Sequence, residues 1–371
     1  MATGRDPKRS AALAPGAVIG IIGGGQLGRM TALAAARLGF RSHVFCPPGD
    51  APATQVTDRA TRAAYDDRAA LDAFARAVDV VTFEFENIPH ESVKLLADHV
   101  PVRPGWNVLR ISQDRALEKS FIKGLGIATA PYAEITSPDA LHTAARQIGL
   151  PGILKTSRFG YDGKGQQRLE PASDLDAAWR ALNTEAAVLE AFVDFKCEIS
   201  VIVARGLDGS EAHFDTVENR HVNHTLDTTI APADPTIVPA RVAREAERIA
   251  DAIADGLDLV GLLAVEMFVT RDDRVLVNEI APRPHNSGHW TIEAAETSQF
   301  EQHVRAVAGW PLGSPRRLAD AEMKNLIGDE VRDWQRHAGT PGVKLHIYGK
   351  DAPRPGRKMG HITRLKPLSK G

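Results

Sequence analysis

Leu262-Leu263-Ala264-Val265-Glu266-Met267-Phe268-Val269-Thr270, Arg271-Asp272-Asp273-Arg274 and Val275-Leu276-Val277-Asn278-Glu279-Ile280 follow one another without interruption, and their reading decides the fold. Two apolar, β-branched runs flank a charged, turn-like tetrapeptide, the pattern of a β-hairpin. A turn centred between Asp272 and Asp273 sets Thr270 against Val275 and Glu266 directly against Glu279. Directly opposed residues have Cβ atoms ~4.5–5.5 Å apart, so two carboxylates there repel each other. A hard cation such as Mg²⁺, held by one or two carboxylates plus substrate phosphates, would relieve that repulsion. Two unrelated glutamates on a solvated face fit the same residues; the next segment favours the cation. Ala281-Pro282-Arg283-Pro284-His285-Asn286-Ser287-Gly288-His289-Trp290 is a loop by its prolines, yet it gathers one Arg, two His and one Asn. Such a loop at a strand end suits the handling of an anion.

Around this centre the chain is long, 371 residues, which suggests two or three domains. A net charge of −2 supplies no global field for nucleic acid or a membrane surface, so phosphate binding must come from local clusters. Cys46 and Cys197 have no metal-like spacing and are too few for a disulfide framework, which fits a reducing cytoplasm. Lys8-Arg9 precede an uncharged stretch, residues 11–28, that imitates a targeting signal, but Pro15 and six glycines interrupt it. Residues 1–15 are expected to be a disordered tail.

Val18-Ile19-Gly20-Ile21-Ile22 reads as a buried strand running into Gly23-Gly24-Gly25-Gln26-Leu27-Gly28, and residues 27–38 as a helix. Strand, glycine turn and helix start form an anion site, because free N–H groups point at the ligand. The spacing also satisfies G-x-G-x-x-G. A dinucleotide fold, however, wants an acid at the end of the next strand (42–45), where Cys46-Pro47-Pro48 stands and Asp50 is displaced. Helix 67–78, strand 80–83, helix 90–99 and strand 100–102 continue a doubly wound parallel sheet. Glu84-Phe85-Glu86-Asn87 closes strand 80–83 at the carboxyl end, where ligand contacts and capping groups are equally at home.

Residues 106–125 read as one helix carrying Asp114-Arg115 and Lys119, and Pro131 and Pro138 mark a linker. Helix 141–148 leads to strand 153–155, whose Lys155 is unusual, since Lys is rarely buried unless paired. Phe159-Gly160-Tyr161-Asp162-Gly163-Lys164-Gly165-Gln166 lacks P-loop spacing but suits a mobile glycine cover over phosphate, or a plain hairpin turn. Strand 187–193 carries Glu190 and strand 197–204 carries Glu198; an extended backbone there can read an adenine edge, with a carboxylate on the ribose. His221 lies in a polar stretch. Residues 240–257 and 291–308 read as helices, and 343–348 as a strand. Lys350, Arg354, Arg357 and Lys358 follow against one Asp351, a local anion site or a solvated basic turn.

Together these pieces resemble the ATP-grasp superfamily and, within it, the N5-carboxyaminoimidazole ribonucleotide synthetases of purine biosynthesis. The resemblance runs from Gly23-Gly24-Gly25-Gln26-Leu27-Gly28-Arg29-Met30 through Tyr161-Asp162-Gly163-Lys164-Gly165-Gln166 to Arg354-Pro355-Gly356-Arg357-Lys358. Its most specific part is Asn278-Glu279-Ile280-Ala281-Pro282-Arg283 with the following loop. It implies an α/β ATP-grasp fold: a doubly wound parallel-sheet pre-ATP-grasp domain (16–112), a small α+β lid (113–188), a large domain with the metal site (189–310) and a C-terminal, mainly antiparallel sheet domain (311–371). The implied reaction is ATP-dependent carboxylation of 5-aminoimidazole ribonucleotide at its exocyclic amine through carboxyphosphate. Arg115, Lys155, Gly160, Tyr161, Asp162, Gly163, Lys164, Gly165, Gln166, Glu190, Ala191, Phe192, Val193, Glu198, His221, Asn278 and Glu279 would contact ATP. Glu266 and Glu279 would hold Mg²⁺ or Mn²⁺. Arg283, His285 and Asn286 would hold bicarbonate and, with Lys350 and Arg357, carry catalysis. Gln26, Leu27, Glu84, Asn87, Tyr161, Asp162, Lys350, Arg357 and Lys358 would face the ribonucleotide. The resemblance further implies a cytoplasmic homodimer that passes its product to a separate mutase, with no nucleic-acid or membrane partner. Many ATP-grasp enzymes place a metal-binding Asn two residues after the second glutamate; here Ala281 stands there, and Asn278 can substitute only if the strand twists or bulges. The nearest rival is the formate-dependent glycinamide ribonucleotide transformylase, which shares the fold and a similar Pro-Arg-Pro-His loop.

Overall fold

The structure, a computed structural model, describes residues 11–158, 160 and 163–369. The expected nucleotide and ribonucleotide contacts at Tyr161 and Asp162 therefore lie outside the described residues, as do residues 1–10 of the expected tail. Residues 11–15 are not loose: Leu13 donates its N–H to the Ala308 carbonyl (2.9 Å) and accepts from the Trp310 indole (2.7 Å). A single apolar side chain packed on a helix end suffices to fix this piece.

Val18–Ile22 pairs in parallel with Arg41–Cys46 on one side and Val80–Phe83 on the other. Buried on both faces, it reads as a continuous apolar run, as central parallel strands must. The fourth strand of this sheet, Arg59–Arg62, has no apolar alternation; it joins at the edge through backbone pairing and a His43–Thr61 side-chain hydrogen bond (2.9 Å), and was not legible in sequence. The expected strand 100–102 is reduced to one bridge, Val81 with Val102.

The expected helix 106–125 is two helices, Trp106–Ser112 and Arg115–Gly124. Asp114 breaks it by capping the second, its carboxylate accepting from the N–H groups of Ala116 (3.0 Å) and Leu117 (3.2 Å). The cap fixes which face of the second helix meets Val275–Ala281, and Arg115, Glu118 and Lys119 share that face by their i, i+3, i+4 spacing. Likewise, 291–308 breaks into Thr291–Ala294 and Gln299–Ala308, where Ser298 caps the second piece.

A small antiparallel sheet runs in the order Tyr132–Ile135, Ala187–Ala191, Gly152–Thr156, Gln166–Leu169. The boundary expected at 188/189 is thus misplaced, because it cuts a central strand of this sheet. Gly261–Thr270 and Val275–Ala281 form one edge of a nine-stranded sheet whose other edge is Val343–Ile347. The boundary expected at 311 separates nothing in that sheet: Asp320–Ile327 pairs directly with Thr225–Ala231, so the C-terminal strands extend it. Backbone pairing respects no sequence boundary, so the ladder joins segments that the resemblance assigns to separate domains. Ala240–Gly256 covers one face, burying Val242, Ala246, Ile249 and Ile253 at helical spacing. No helix among the described residues is long and apolar enough to cross a membrane.

Candidate active site

Glu266 and Glu279 do face each other across Gly261–Thr270 and Val275–Ala281, but the register around them differs from the expected one. Val275 pairs with Val269, not Thr270, because Thr270 belongs to the turn: its N–H donates to the Arg274 carbonyl (2.9 Å) and its hydroxyl accepts from the Arg274 N–H (3.0 Å). Asp273 takes a left-handed φ of 63° there. The one-residue offset is cancelled by a bulge. Met267 pairs with Val277, Glu266 with Glu279, and Asn278 is the extra residue between them. The bulge breaks strict alternation and lets the Asn278 amide oxygen reach the Lys155 ammonium (3.4 Å).

Each opposed carboxylate is met by a cationic or imidazole group from another element. Arg115 lies 3.0 Å from Glu279, and the His285 imidazole 2.8 Å from Glu266. Burial works against ionisation of Glu266, but the adjacent imidazole carries its carboxyl down to about 2. Glu198 and His221, 3.1 Å apart, join Glu266 in one cluster whose ligand atoms lie within 4.8 Å of one another. The opposed carboxylates are hard oxygen donors, the kind Mg²⁺ prefers.

Glu190 is clasped between two ammonium groups, Lys155 at 3.0 Å and Lys119 at 3.2 Å. All three side chains are buried, at 3%, 10% and 0% exposure respectively, so this is an internal charge cluster. The lysine that ended an apolar strand is paired after all. Burial opposes its charge and Glu190 supports it; the same lysines hold the Glu190 carboxyl down near about 2. Since the unfolded carboxyl titrates near ~4.3, the ionised form favours the fold; its contribution is complete above that value and lost as pH falls toward the folded one. We expect the thermal midpoint to fall steeply between about pH 4.5 and 2, and a Glu190→Gln variant to show a shallower pH slope over that window. Glu118 titrates in the opposite sense: burial raises it to about 8, while the Ile280 N–H donates to it at 2.6 Å.

Gly163 and Gly165 adopt left-handed φ values of 77° and 69°, and a Cβ on Gly163 would meet the His224 Cβ at 2.4 Å. Gly160, Lys164 and Gln166 complete the described part of this cover; Gln166 pairs with Lys155 across the small sheet. Within the expected adenine-reading stretch, the Ala191 and Phe192 N–H groups already donate to the carbonyls of Pro131 (2.8 Å) and Pro151 (3.1 Å). These two N–H groups are therefore committed to the protein itself.

The glycine turn is occupied by the protein itself. Glu84, buried, accepts from the Gly25 N–H and from the Gly28 N–H (2.5 Å). A Cβ on Gly23 would fall 2.4 Å from the Glu84 side chain, so these glycines make room for a carboxylate where a dinucleotide fold holds pyrophosphate. Burial raises the Glu84 carboxyl, and the two amide bonds pull it back. Glu84, Gln26 and Leu27 line a cleft of about 380 Å³ with Asp50. Asn87, half-buried, is not among the residues lining it. At the cleft's rim Arg357 ion-pairs with Asp50, and the Lys350 ammonium donates to the Lys358 carbonyl (2.6 Å). Burial and the neighbouring Arg357 lower Lys350 to about 8.

In the strand-end loop Arg283 meets Glu86, while Asn286 forms a reciprocal amide pair with Asn325 (2.9 and 2.5 Å). Glu86 and Lys119 were named in the sequence without being assigned a role, and Glu118 and Asn325 were not named. Glu86 stood in a flagged strand end, and Lys119 and Glu118 one turn beyond Arg115, so spacing offered a signal for three of the four. Asn325 offered none.

A lid sheet with a lysine and a glycine cover, set over an antiparallel sheet bearing paired carboxylates, defines the ATP-grasp class of ligases. Three family models match in sequence: the ribonucleotide synthetase preATP-grasp domain at residues 17–113, the ATP-grasp domain at 120–300 and the phosphoribosylaminoimidazole carboxylase C-terminal domain at 321–369. The chain is 48% identical over 357 residues to the N5-carboxyaminoimidazole ribonucleotide synthase of Brucella melitensis, covering 96% of this chain and 98% of that one. It is also 48% identical over 373 residues to the bifunctional purine synthesis protein purC/E of Dictyostelium discoideum, where 95% of this chain spans 37% of the longer protein. A crystal structure of N5-carboxyaminoimidazole synthase from Aspergillus clavatus in complex with ADP and 5-aminoimidazole ribonucleotide superposes with a TM-score of 0.89 at 31% identity, covering 95% of each chain. The chain belongs to the N5-carboxyaminoimidazole ribonucleotide synthase family.

Proposed function

We infer that this chain carries out the reaction for which its family is named: ATP-dependent carboxylation of 5-aminoimidazole ribonucleotide at the exocyclic amine, with bicarbonate as the carbon source and ADP and phosphate released. The observation that carries this reading is the opposed Glu266–Glu279 pair, joined on one side to Arg115 and on the other to the His285 loop.

Bicarbonate is a poor electrophile. Its oxygen attacks the γ-phosphorus of ATP, the bond to ADP breaks, and carboxyphosphate forms; its breakdown delivers CO₂ beside the amine. Side chains have little covalent work here, so positioning and charge neutralisation set the rate. Lys155 and Arg115 face the triphosphate. Arg283, His285 and Asn286 receive bicarbonate, with Arg283 offsetting developing charge. A divalent cation held by Glu266 and Glu279, with Asn278 near, would neutralise the phosphoryl oxygens. The glycine cover excludes water from carboxyphosphate. Glu84, Gln26, Leu27, Lys350, Arg357 and Lys358 surround the cleft assigned to the ribonucleotide. A cytoplasmic homodimer handing its product to a separate mutase belongs to the same proposal.

Substrate pairs supplied one at a time test it. ADP release is expected with bicarbonate and the aminoimidazole ribonucleotide. Release driven instead by formate and glycinamide ribonucleotide would overturn the assignment.

A further inference from the structure

We propose that Glu86 is a positioning residue for the carboxylation, holding the Arg283 guanidinium so that its remaining donors present a paired edge to a planar oxyanion. The proposal rests on Arg283 being the bicarbonate contact.

Arg283 is a long, flexible side chain whose aim must be set from outside. Nη2 donates to one Glu86 oxygen at 2.9 Å, and Nε lies 2.8 Å from the other. Nη1 donates to the Pro284 carbonyl at 3.1 Å. Guanidinium carries five N–H donors in a fixed plane, so these contacts leave one on each Nη nitrogen. Two donors in one plane match the two oxygens of a carboxylate-like anion, the geometry of bidentate recognition. Bicarbonate and the carboxyl end of carboxyphosphate both have that shape. Arg283 and Glu86 keep 17% and 19% side-chain exposure, so the pair is not sealed in the core.

Glu86 is itself held. The backbone bends there, just past the strand Val80–Phe83. Gln113 donates to the carbonyls of Glu86 (3.1 Å) and Ile88 (3.0 Å), and its own oxygen accepts from Arg158, close after Lys155 in the small sheet. Glu86 thus fixes a side chain of the large sheet from the N-terminal sheet, and Gln113 ties that fixture to the lid. The neighbouring Glu84 serves the ribonucleotide cleft, so one short segment borders both substrates' sites.

Full-length Glu86→Gln, Arg283→Gln and the double variant, assayed in CO₂-free buffer with added bicarbonate, test this. Glu86→Gln is expected to raise the bicarbonate KM about tenfold or more, as loss of an outer partner commonly does. The ATP KM should stay within about twofold, and ADP released per carboxylated product should rise above one. Adding Glu86→Gln to Arg283→Gln should change nothing further, because the first acts through the second. An unchanged bicarbonate KM in Glu86→Gln, with Arg283→Gln still impaired, overturns the inference alone; multiplicative effects in the double variant do the same. An unchanged bicarbonate KM in Arg283→Gln instead removes Arg283 from the bicarbonate site. Should Glu86→Gln not fold, Glu86→Asp keeps the charge at a shorter reach. It should give an intermediate KM, and a native one would sink the idea.

Discussion

Glu279→Gln is expected to lower divalent-cation-dependent ADP formation by about a thousandfold, since one preorganised charge-stabilising group is commonly worth ~10²–10³ and this one also holds the cation. The substitution keeps the size of the side chain and one acceptor oxygen for Arg115, 3.0 Å away. Glu279 is 40% exposed, so the loss of its charge costs the fold little. Activity and stability should therefore separate. ADP release is followed over a range of Mg²⁺ concentrations, and the thermal midpoint is measured alongside. Near-native turnover in a folded variant would remove Glu279 from the cation site, and with it the reason for two facing carboxylates.

Glu190→Gln is expected to do the reverse, striking the fold first. Removing one partner of a buried ion pair typically costs ~3–5 kcal/mol, because the remaining charge stays desolvated and unpaired. Here two ammonium groups, Lys119 and Lys155, lose their shared counter-charge at once. Both must then deprotonate, move or draw in water, and Lys155 is also the residue assigned to the triphosphate. Because a chain of several sheets need not unfold in one step, the measurement is the first transition in a denaturant titration, together with the ATP KM. A loss below about 1 kcal/mol would show that the cluster is solvated in solution, against its burial here.

Much of the site could be read because its chemistry sits on local patterns. The strand Val18–Ile22, the glycine turn and the helix after it follow from a buried apolar run and from backbone freedom at glycine. The helix Ala240–Gly256 follows from its apolar spacing. Where the reading went wrong, a side chain had intervened in the backbone. Asp114 divided one apparent helix and Ser298 another, each by capping N–H groups that the period alone assigns to a continuing turn. The strand, glycine turn and helix start offered a site for an anion; the structure shows Glu84 from a distant strand on those amides, a pairing 56 to 59 residues apart that no local pattern records.

Sequence by itself determined which residues bear charge at strand ends and that the hairpin exists, because apolar runs and charged turns are local patterns; the facing of its two glutamates was expected from a register that the structure reaches by another route. Sequence could not determine how they come to face each other, since the turn takes Thr270 and the bulge at Asn278 gives the lost residue back. Only the tertiary structure decided which charges neutralise which: Arg115 with Glu279, Lys119 and Lys155 with Glu190, Arg283 with Glu86. The physical reason is that ion pairing acts across space after sheets have packed, whereas periodicity acts along the chain before they do.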